Sequence, residues 1–246
     1  MHVHPREMSQ AWSILRAKAF HVATALLLVL CAGCATNPSP DPNRTITLTL
    51  VRHGQSVGNA SGRVDTSVPG PALTSLGLAQ AQMVANRLNI NHYDGIYAST
   101  MVRTQQTAEP TAEENNETVL VLPGLREIEA GRYEGEAESV AARTYYQDIV
   151  RWTEGAPAQR IPGSISGEEF DERFDEAVQS IYDSGDTDPI AFSHGAAIAA
   201  WTMMNVANPQ LELMTADPLP NTGWVVVTGK PNHWTLVEWN GSPVPN

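Results

Sequence analysis

Beyond position 34 the chain has no cysteine; its only two, Cys31 and Cys34, close the first apolar run. Downstream of that run, a disulfide framework, a cysteine-ligated zinc site and a cysteine nucleophile are all excluded. Basic residues are scarce too, 15 against 27 acidic ones, for a formal net charge of −12. The first 34 residues hold Arg6, Arg16 and Lys18 against Glu7, so the remainder is more acidic still. A surface of that sign repels a phosphate backbone and argues against nucleic acid as a partner. An anionic small ligand would need a locally basic pocket. No His-Glu-x-x-His motif or carboxylate cluster with ligand spacing is present, so no metal and no cofactor is expected.

The N-terminal segment has its own pattern. Arg16 and Lys18 precede a mostly apolar stretch, Ala19 to Gly33. It is too short to span a bilayer comfortably and carries the charge order of a signal peptide. It ends Leu30-Cys-Ala-Gly-Cys34, which resembles a bacterial lipobox with Cys34 as the lipidated residue; Cys31 departs from that pattern. Ordinary secretory cleavage is the plainer alternative. Met8 competes with Met1 as the start. Residues 35–44 (ATNPSPDPNR) have no apolar period and read as a flexible tether. The expected organisation is a lipoprotein signal over 1–34, a tether over 35–44 and one domain over 45–246. That places the domain outside the cytoplasm, anchored to the cell membrane, or secreted if the lipobox is unused.

Within the domain, strand-like and helix-like runs alternate. Thr45 to Val51 is a β-branched run that becomes fully apolar before Arg52-His53-Gly54. A helix is predicted over Thr74 to Ile90, with Thr74 as N-cap and Leu76, Ala79, Met83 and Leu88 on one face. Strands follow at Gly95 to Ser99 and Thr118 to Leu122, with a helix between them that stops near Pro110. Helices are predicted over Ala137 to Gly155, Glu168 to Ser184 and Ala196 to Val206. Asp188 to Phe192 is a strand entering Ser193-His194-Gly195, and Trp224 to Thr228 and Trp234 to Trp239 are closing strands. This order implies an α/β fold with a largely parallel sheet. Ligands of such sheets sit at the carboxyl ends of the strands. Arg52-His53, the Ser99 to Arg103 turn and His194-Gly195 all fall there.

Past position 34 there are four histidines: His53, His92, His194 and His233. Two of them end a strand and are followed by Gly, which lets the backbone turn and approach a ligand. Leu50-Val-Arg-His-Gly-Gln-Ser-Val-Gly-Asn59 resembles the signature of the histidine phosphatase (phosphoglycerate mutase-like) superfamily. The likeness continues in order through Leu73-Thr74, Ala98-Ser99 with Arg103-Thr104, Leu125-Arg-Glu127 with Gly131 and Glu134-Gly135, and Ser193-His194-Gly195. It implies a three-layer α/β/α sandwich. It also implies a phosphohistidine formed on His53, with Arg52, Arg103 and His194 around the phosphoryl oxygens, and Asn59 and the Gly195 N–H as further donors. Glu127 is implied as the acid that protonates the leaving group and then activates water. Glu129 and Glu134 stand close enough to compete for that role. Ser56 either binds phosphate or closes the turn.

Gly195 after the second histidine, and Gln55-Ser56 after the first, resemble the mutase-type branch. Gly131-Arg-Tyr-Glu-Gly135 resembles its phosphatases. The expected function is hydrolysis of a small phosphomonoester at the cell envelope. Phosphoglycerate mutase-type transfer and a non-catalytic phospholigand-binding module are the alternatives. The region Glu136 to Gly167 is expected to cap the pocket, with Tyr145, Tyr146 and Trp152 either meeting the leaving group or packing inside. Neither the substrate nor the oligomeric state can be read from the sequence.

Overall fold

The structure is a computed structural model that describes residues 41, 43–88 and 92–245. The expected signal segment, its Cys34 and most of the tether lie outside those residues. Seven strands form one sheet in the order β3-β2-β4-β1-β5-β6-β7. They are β1 (Ile46–Arg52), β2 (Gly95–Ala98), β3 (Val119–Val121), β4 (Pro189–Ser193), β5 (Trp224–Lys230), β6 (His233–Trp239) and β7 (Ser242–Pro243). The first four are parallel, and the last three add on antiparallel.

Alternation along the buried strands divides the core in two. Leu48, Leu50, Ala191, Val225 and Val227 face one cluster, and Val51, Ile190, Phe192 and Trp224 face the other. A sheet that is apolar on both faces must be covered on both. The smaller cluster is closed by α2 (Ser75–Leu88) and α3 (Val102–Asn115). The larger is closed by α5 (Tyr145–Thr153), α6 (Gly167–Ser184) and α7 (Gly195–Asn205). Phe170, Phe174, Trp201 and Trp234 run through it as a chain of ring contacts with centroids 5.3 to 6.0 Å apart. Each such fully buried side chain contributes roughly 1.5–3 kcal/mol by leaving water. The expected three-layer α/β/α architecture is therefore present.

Three local expectations are corrected. The buried face of α2 carries Gly77, Ala81, Val84, Ala85 and Leu88, while Leu76 and Met83 are exposed. The reason is a close backbone approach. A Cβ on Gly77 would lie 2.1 Å from the Gln55 carbonyl oxygen, so this face must be turned to the loop after β1. Secondly, α3 runs through Pro110 to Asn115, because Thr111 and Ala112 are buried and hold the last turn against the core. Thirdly, the helix expected over Ala137 to Gly155 is broken into α4 (Glu138–Ala141) and α5. At the break, Thr144 leaves helical geometry and its hydroxyl donates to Glu136 Oε2 at 2.7 Å. Two short helices complete the set, α1 (Val57–Ser61) after β1 and α8 (Leu213–Ala216) before β5.

Candidate active site

Strand register brings the two histidine motifs together. Arg52 of β1 pairs with Ser193 of β4, so His53 and His194 leave neighbouring parallel strands at the same level. Their rings meet edge to face at 5.2 Å between centroids, both buried. On the other side of β4, Ala98 of β2 pairs with Phe192, which sets Ser99 beside the same strand end. Ser99 Oγ lies 2.9 Å from His194 Nε2.

The loop after His53 is held by packing against α2 and α3. Gly54 N–H donates to Thr107 Oγ1 at 3.0 Å, and a Cβ on Gly54 would lie 2.6 Å from the Gly77 carbonyl oxygen. Glycine is required at that contact. Thr74 caps α2 as expected, accepting from Gly77 N–H at 3.0 Å. Ser56 is the N-cap of α1, bonded to Asn59 on both its hydroxyl and its N–H, so it closes the turn. Asn59 Oδ1 also accepts from Asn221 Nδ2 at 3.2 Å. With that oxygen shared among three donors, the uncommitted half of the Asn59 amide is its NH₂.

His53 has a defined tautomer. Its Nδ1 lies 2.6 Å from the Gly54 carbonyl oxygen and must donate to it, leaving the Nε2 lone pair to accept from Arg103 Nε at 3.0 Å. Burial, then Arg103 and Arg52, hold the His53 imidazole well below its ordinary 6.5, against the opposing bond to Gly54. The ring is therefore neutral at physiological pH. His194 is held down similarly by burial, Arg103 and His53. If Ser99 donates to its Nε2, the proton of His194 sits on Nδ1, which has no partner.

Two guanidiniums flank the ring. Arg52 Nη1 donates to the Leu219 carbonyl oxygen at 2.6 Å, and Arg103 Nη2 to that of Asp65 at 3.1 Å. Neither makes a salt bridge among the described residues. Arg52 Nε and Arg103 Nη1 are buried without a partner, like His194 Nδ1. Leaving a buried donor unsatisfied costs about 1–3 kcal/mol. Two guanidiniums and a second imidazole around one neutral imidazole make a site suited to an anion with several oxygens. Gly195 opens α7 beside them; a Cβ there would press on Arg52 Cδ at 3.1 Å. Its N–H adds the positive end of a helix to the same place.

Glu127 completes the pocket. Its Oε1 accepts from Ile128 N–H and Ala197 N–H, both at 3.0 Å, and among the described residues no hydrogen bond falls on Oε2. Burial pushes the carboxyl above its ordinary 4.5, against the pull of those backbone donors and of Arg103 and Arg52. The two competing carboxylates are committed elsewhere. Glu129 pairs with Arg126 at 2.8 Å, and Glu134 accepts from Thr66 N–H at 3.0 Å. His92 and His233 are exposed and outside the site. Among the described residues, no group of three or more His, Cys, Asp or Glu side chains is arranged to hold a metal ion.

Two contributors carried no sequence signal: Asn221 Nδ2 donates to the His53 carbonyl oxygen at 3.1 Å, and the Leu219 carbonyl accepts from Arg52. The cap region divides as well. Tyr145 and Trp152 are buried, with Tyr145 donating to the Ile128 carbonyl at 2.6 Å and Trp152 Nε1 to that of Gln159 at 2.8 Å. Tyr146 lines a cavity of about 590 Å³ that adjoins the phosphate-sized pocket and shares Arg52, Asn59, Glu127 and Glu138 with it.

The family described as "Histidine phosphatase superfamily (branch 1)" matches residues 48–242. The PE-PGRS family protein PE_PGRS11 of Mycobacterium tuberculosis is 44% identical over 218 residues, 82% of this chain and 37% of that protein. The chain thus spans little more than a third of that relative. A protein named probable phosphoglycerate mutase GpmB, from Yersinia pestis, is 33% identical over 153 residues, 61% of this chain and 69% of its own. Among solved structures, a mycobacterial glucosyl-3-phosphoglycerate phosphatase in complex with VO3 superposes with a TM-score of 0.67. It is 25% identical and covers 80% of this chain and 100% of its own.

Proposed function

We propose that this chain, which belongs to branch 1 of the histidine phosphatase superfamily, hydrolyses small phosphomonoesters through a phosphohistidine on His53. The observation that carries the reading is the neutral His53 ring, bonded by Arg103 Nε, in contact with the His194 ring and sharing its pocket with Arg52, whose Nε is buried without a partner among the described residues. A phosphoryl group has the oxygens to accept from these groups. In the first step His53 Nε2 forms a bond to phosphorus and the bond from phosphorus to the ester oxygen breaks. Glu127 gives its proton to that oxygen, so the alcohol leaves neutral. Arg52, Arg103, His194 and the Gly195 N–H take up the charge that spreads over the phosphoryl oxygens. In the second step Glu127, now ionised, removes a proton from water. The water oxygen bonds to phosphorus, the N–P bond breaks, and phosphate leaves with His53 neutral again.

Hydrolysis is favoured over mutase-type transfer by the cavity beside the pocket. A mutase must hold the alcohol between two transfers, and here the alcohol leaves into about 590 Å³ of space. The test is single turnover with a labelled ester. Label should appear on His53, stable to base and labile to acid, and His53→Ala should lack both label and turnover. Near-normal turnover in that variant would overturn the mechanism.

The proposed location is the cell envelope, through a lipid on Cys34. Its support is the sequence alone: Arg16 and Lys18, the short apolar run, and small residues before Cys34. Cys34→Ala should move the protein from the membrane fraction to the soluble one. An unmodified N-terminus downstream of Cys34, seen by mass spectrometry, would rule the anchor out.

A further inference from the structure

The cavity beside the phosphoryl pocket bears on the identity of the alcohol. At about 590 Å³ it has room for a group much larger than a methyl or glyceryl unit. Ile149 and Val150 of α5, Ala199 of α7, Met214 of α8 and Leu219 give it mostly apolar walls. Among the residues that line it, three have a carboxyl or guanidinium group: Arg52, Glu127 and Glu138. Arg52 belongs to the phosphoryl group, with Nη1 fixed on the Leu219 carbonyl. Glu127 is the proposed acid. The remaining charge, Glu138, stands in the first turn of α4 and lines both the cavity and the phosphate pocket. Tyr146 OH donates to its Oε2 at 3.0 Å, and Glu138 makes no salt bridge among the described residues. Its Oε1 accepts no hydrogen bond among the described residues, so it can take one from a ligand.

An alcohol bearing a carboxylate or a second phosphate would find no spare cation in the lining of this cavity; the other guanidinium nearby, Arg63, lines the phosphate pocket with Nη1 on the Gly135 carbonyl. Such an alcohol would also meet a carboxylate held in place by a tyrosine. Glycerate, the alcohol of a phosphoglycerate, is of that kind. An uncharged or cationic alcohol meets no repulsion, gains apolar contact, and can aim a hydroxyl or ammonium hydrogen at Glu138. Resting on the phosphatase reading above, we infer that the substrate is the phosphomonoester of a largely apolar alcohol without negative charge, and that Glu138 excludes anionic leaving groups. Glu138 acts here as a specificity-determining residue and takes no part in the transfer of phosphorus.

A matched series isolates the end group: hexyl phosphate and its 6-hydroxy, 6-amino and 6-carboxy derivatives, with nitrophenyl phosphate as a check on the chemistry. In the wild-type protein kcat/KM should be highest for the hydroxy and amino esters. It should be lower for the carboxy ester by about tenfold or more, since tenfold corresponds to about 1.4 kcal/mol, well within reach of one charge pair at close range. Glu138→Gln, which keeps the shape and removes the charge, should raise the carboxy ester by about tenfold relative to the amino ester. The wild-type order is read without any variant, so a folding defect in Glu138→Gln leaves the first comparison standing. Equal turnover of the carboxy and hydroxy esters, alongside normal hydrolysis of nitrophenyl phosphate, would overturn the inference and spare the phosphatase reading. So would an amino-to-carboxy ratio unchanged in a folded Glu138→Gln. No hydrolysis of any of the five esters would sink both.

Discussion

Around His53 most polar atoms are tied to a partner on another element, whereas the neighbouring cavity is walled mainly by aliphatic side chains. The His53 ring is held by Gly54 and Arg103, its backbone N–H by the Ser193 carbonyl at 3.0 Å, and its carbonyl by Asn221. The cavity is built from Ile149, Val150, Ala199 and Met214, which give shape but little direction. Reaction geometry tolerates errors of only a fraction of an ångström, and many crossed hydrogen bonds supply that precision. Binding an alcohol of varied form needs contact area and the exclusion of unsuitable charge. The two regions meet at Glu127 and Glu138, which line both; the first is the proposed proton donor, and the second is the proposed selector of the leaving group.

The sharpest way to break this comparison is at the tied-down side. His194→Ala removes one donor of the phosphoryl site, and loss of one such donor costs about 10²–10³-fold in kcat. The loss should be alike for every ester, because the donor touches the group common to all of them. A loss that varied with the alcohol would show that His194 also reaches into the cavity.

Glu127→Gln should separate the two regions by leaving group. Alkyl phosphates need the proton in the transition state and should lose on the order of 10²–10⁴-fold in single-turnover rate; nitrophenyl phosphate should lose much less. The pH profile gives a second measurement. His53 must be neutral, and its depressed value puts the acid limb of kcat/KM below 6.5. Glu127 must carry its proton, and its raised value puts the alkaline limb above 4.5. The alkaline limb should vanish in Glu127→Gln and the acid limb remain. Equal losses on both esters would reduce Glu127 to a positioning residue.

The smallest effect belongs to the cavity wall. Met214→Ala should raise KM for hexyl phosphate a few-fold, by removing apolar contact worth about 1 kcal/mol, with kcat changed less than twofold. A large fall in kcat would mean that the wall also positions the ester for attack.

The tied-down region was also the legible one. Arg52-His53-Gly54 and His194 sit in short motifs at strand ends, Arg103 opens α3, and Glu127 lies in a loop that packs beside them. A side chain that must both fold locally and react leaves its type in the sequence. The parts that were not legible act through tertiary placement. Leu219 contributes a backbone carbonyl, which any residue would supply, and Asn221 lies in a turn with no period to mark it. The buried face of α2 was misread because hydrophobicity favoured Leu76 and Met83, while a backbone contact at Gly77 decided the orientation. The break near Thr144 came from one hydroxyl bond to Glu136 that propensity does not encode. Glu138 had the appearance of one more surface acid in an acidic chain.

The turn that leads from α8 into β5 belongs to both regions at once. Its Leu219 side chain walls the cavity while its own carbonyl steers Arg52, and two residues later Asn221 braces His53 and Asn59. For anyone retargeting the protein to a new alcohol, this turn is the wrong place to diversify. Libraries placed there would trade turnover for fit at nearly every position. Libraries at Ala142, Gln147 and Val150, which line the cavity and make no hydrogen bond to His53, Arg52 or Arg103 among the described residues, should spare the proposed reaction while the accepted alcohol is varied.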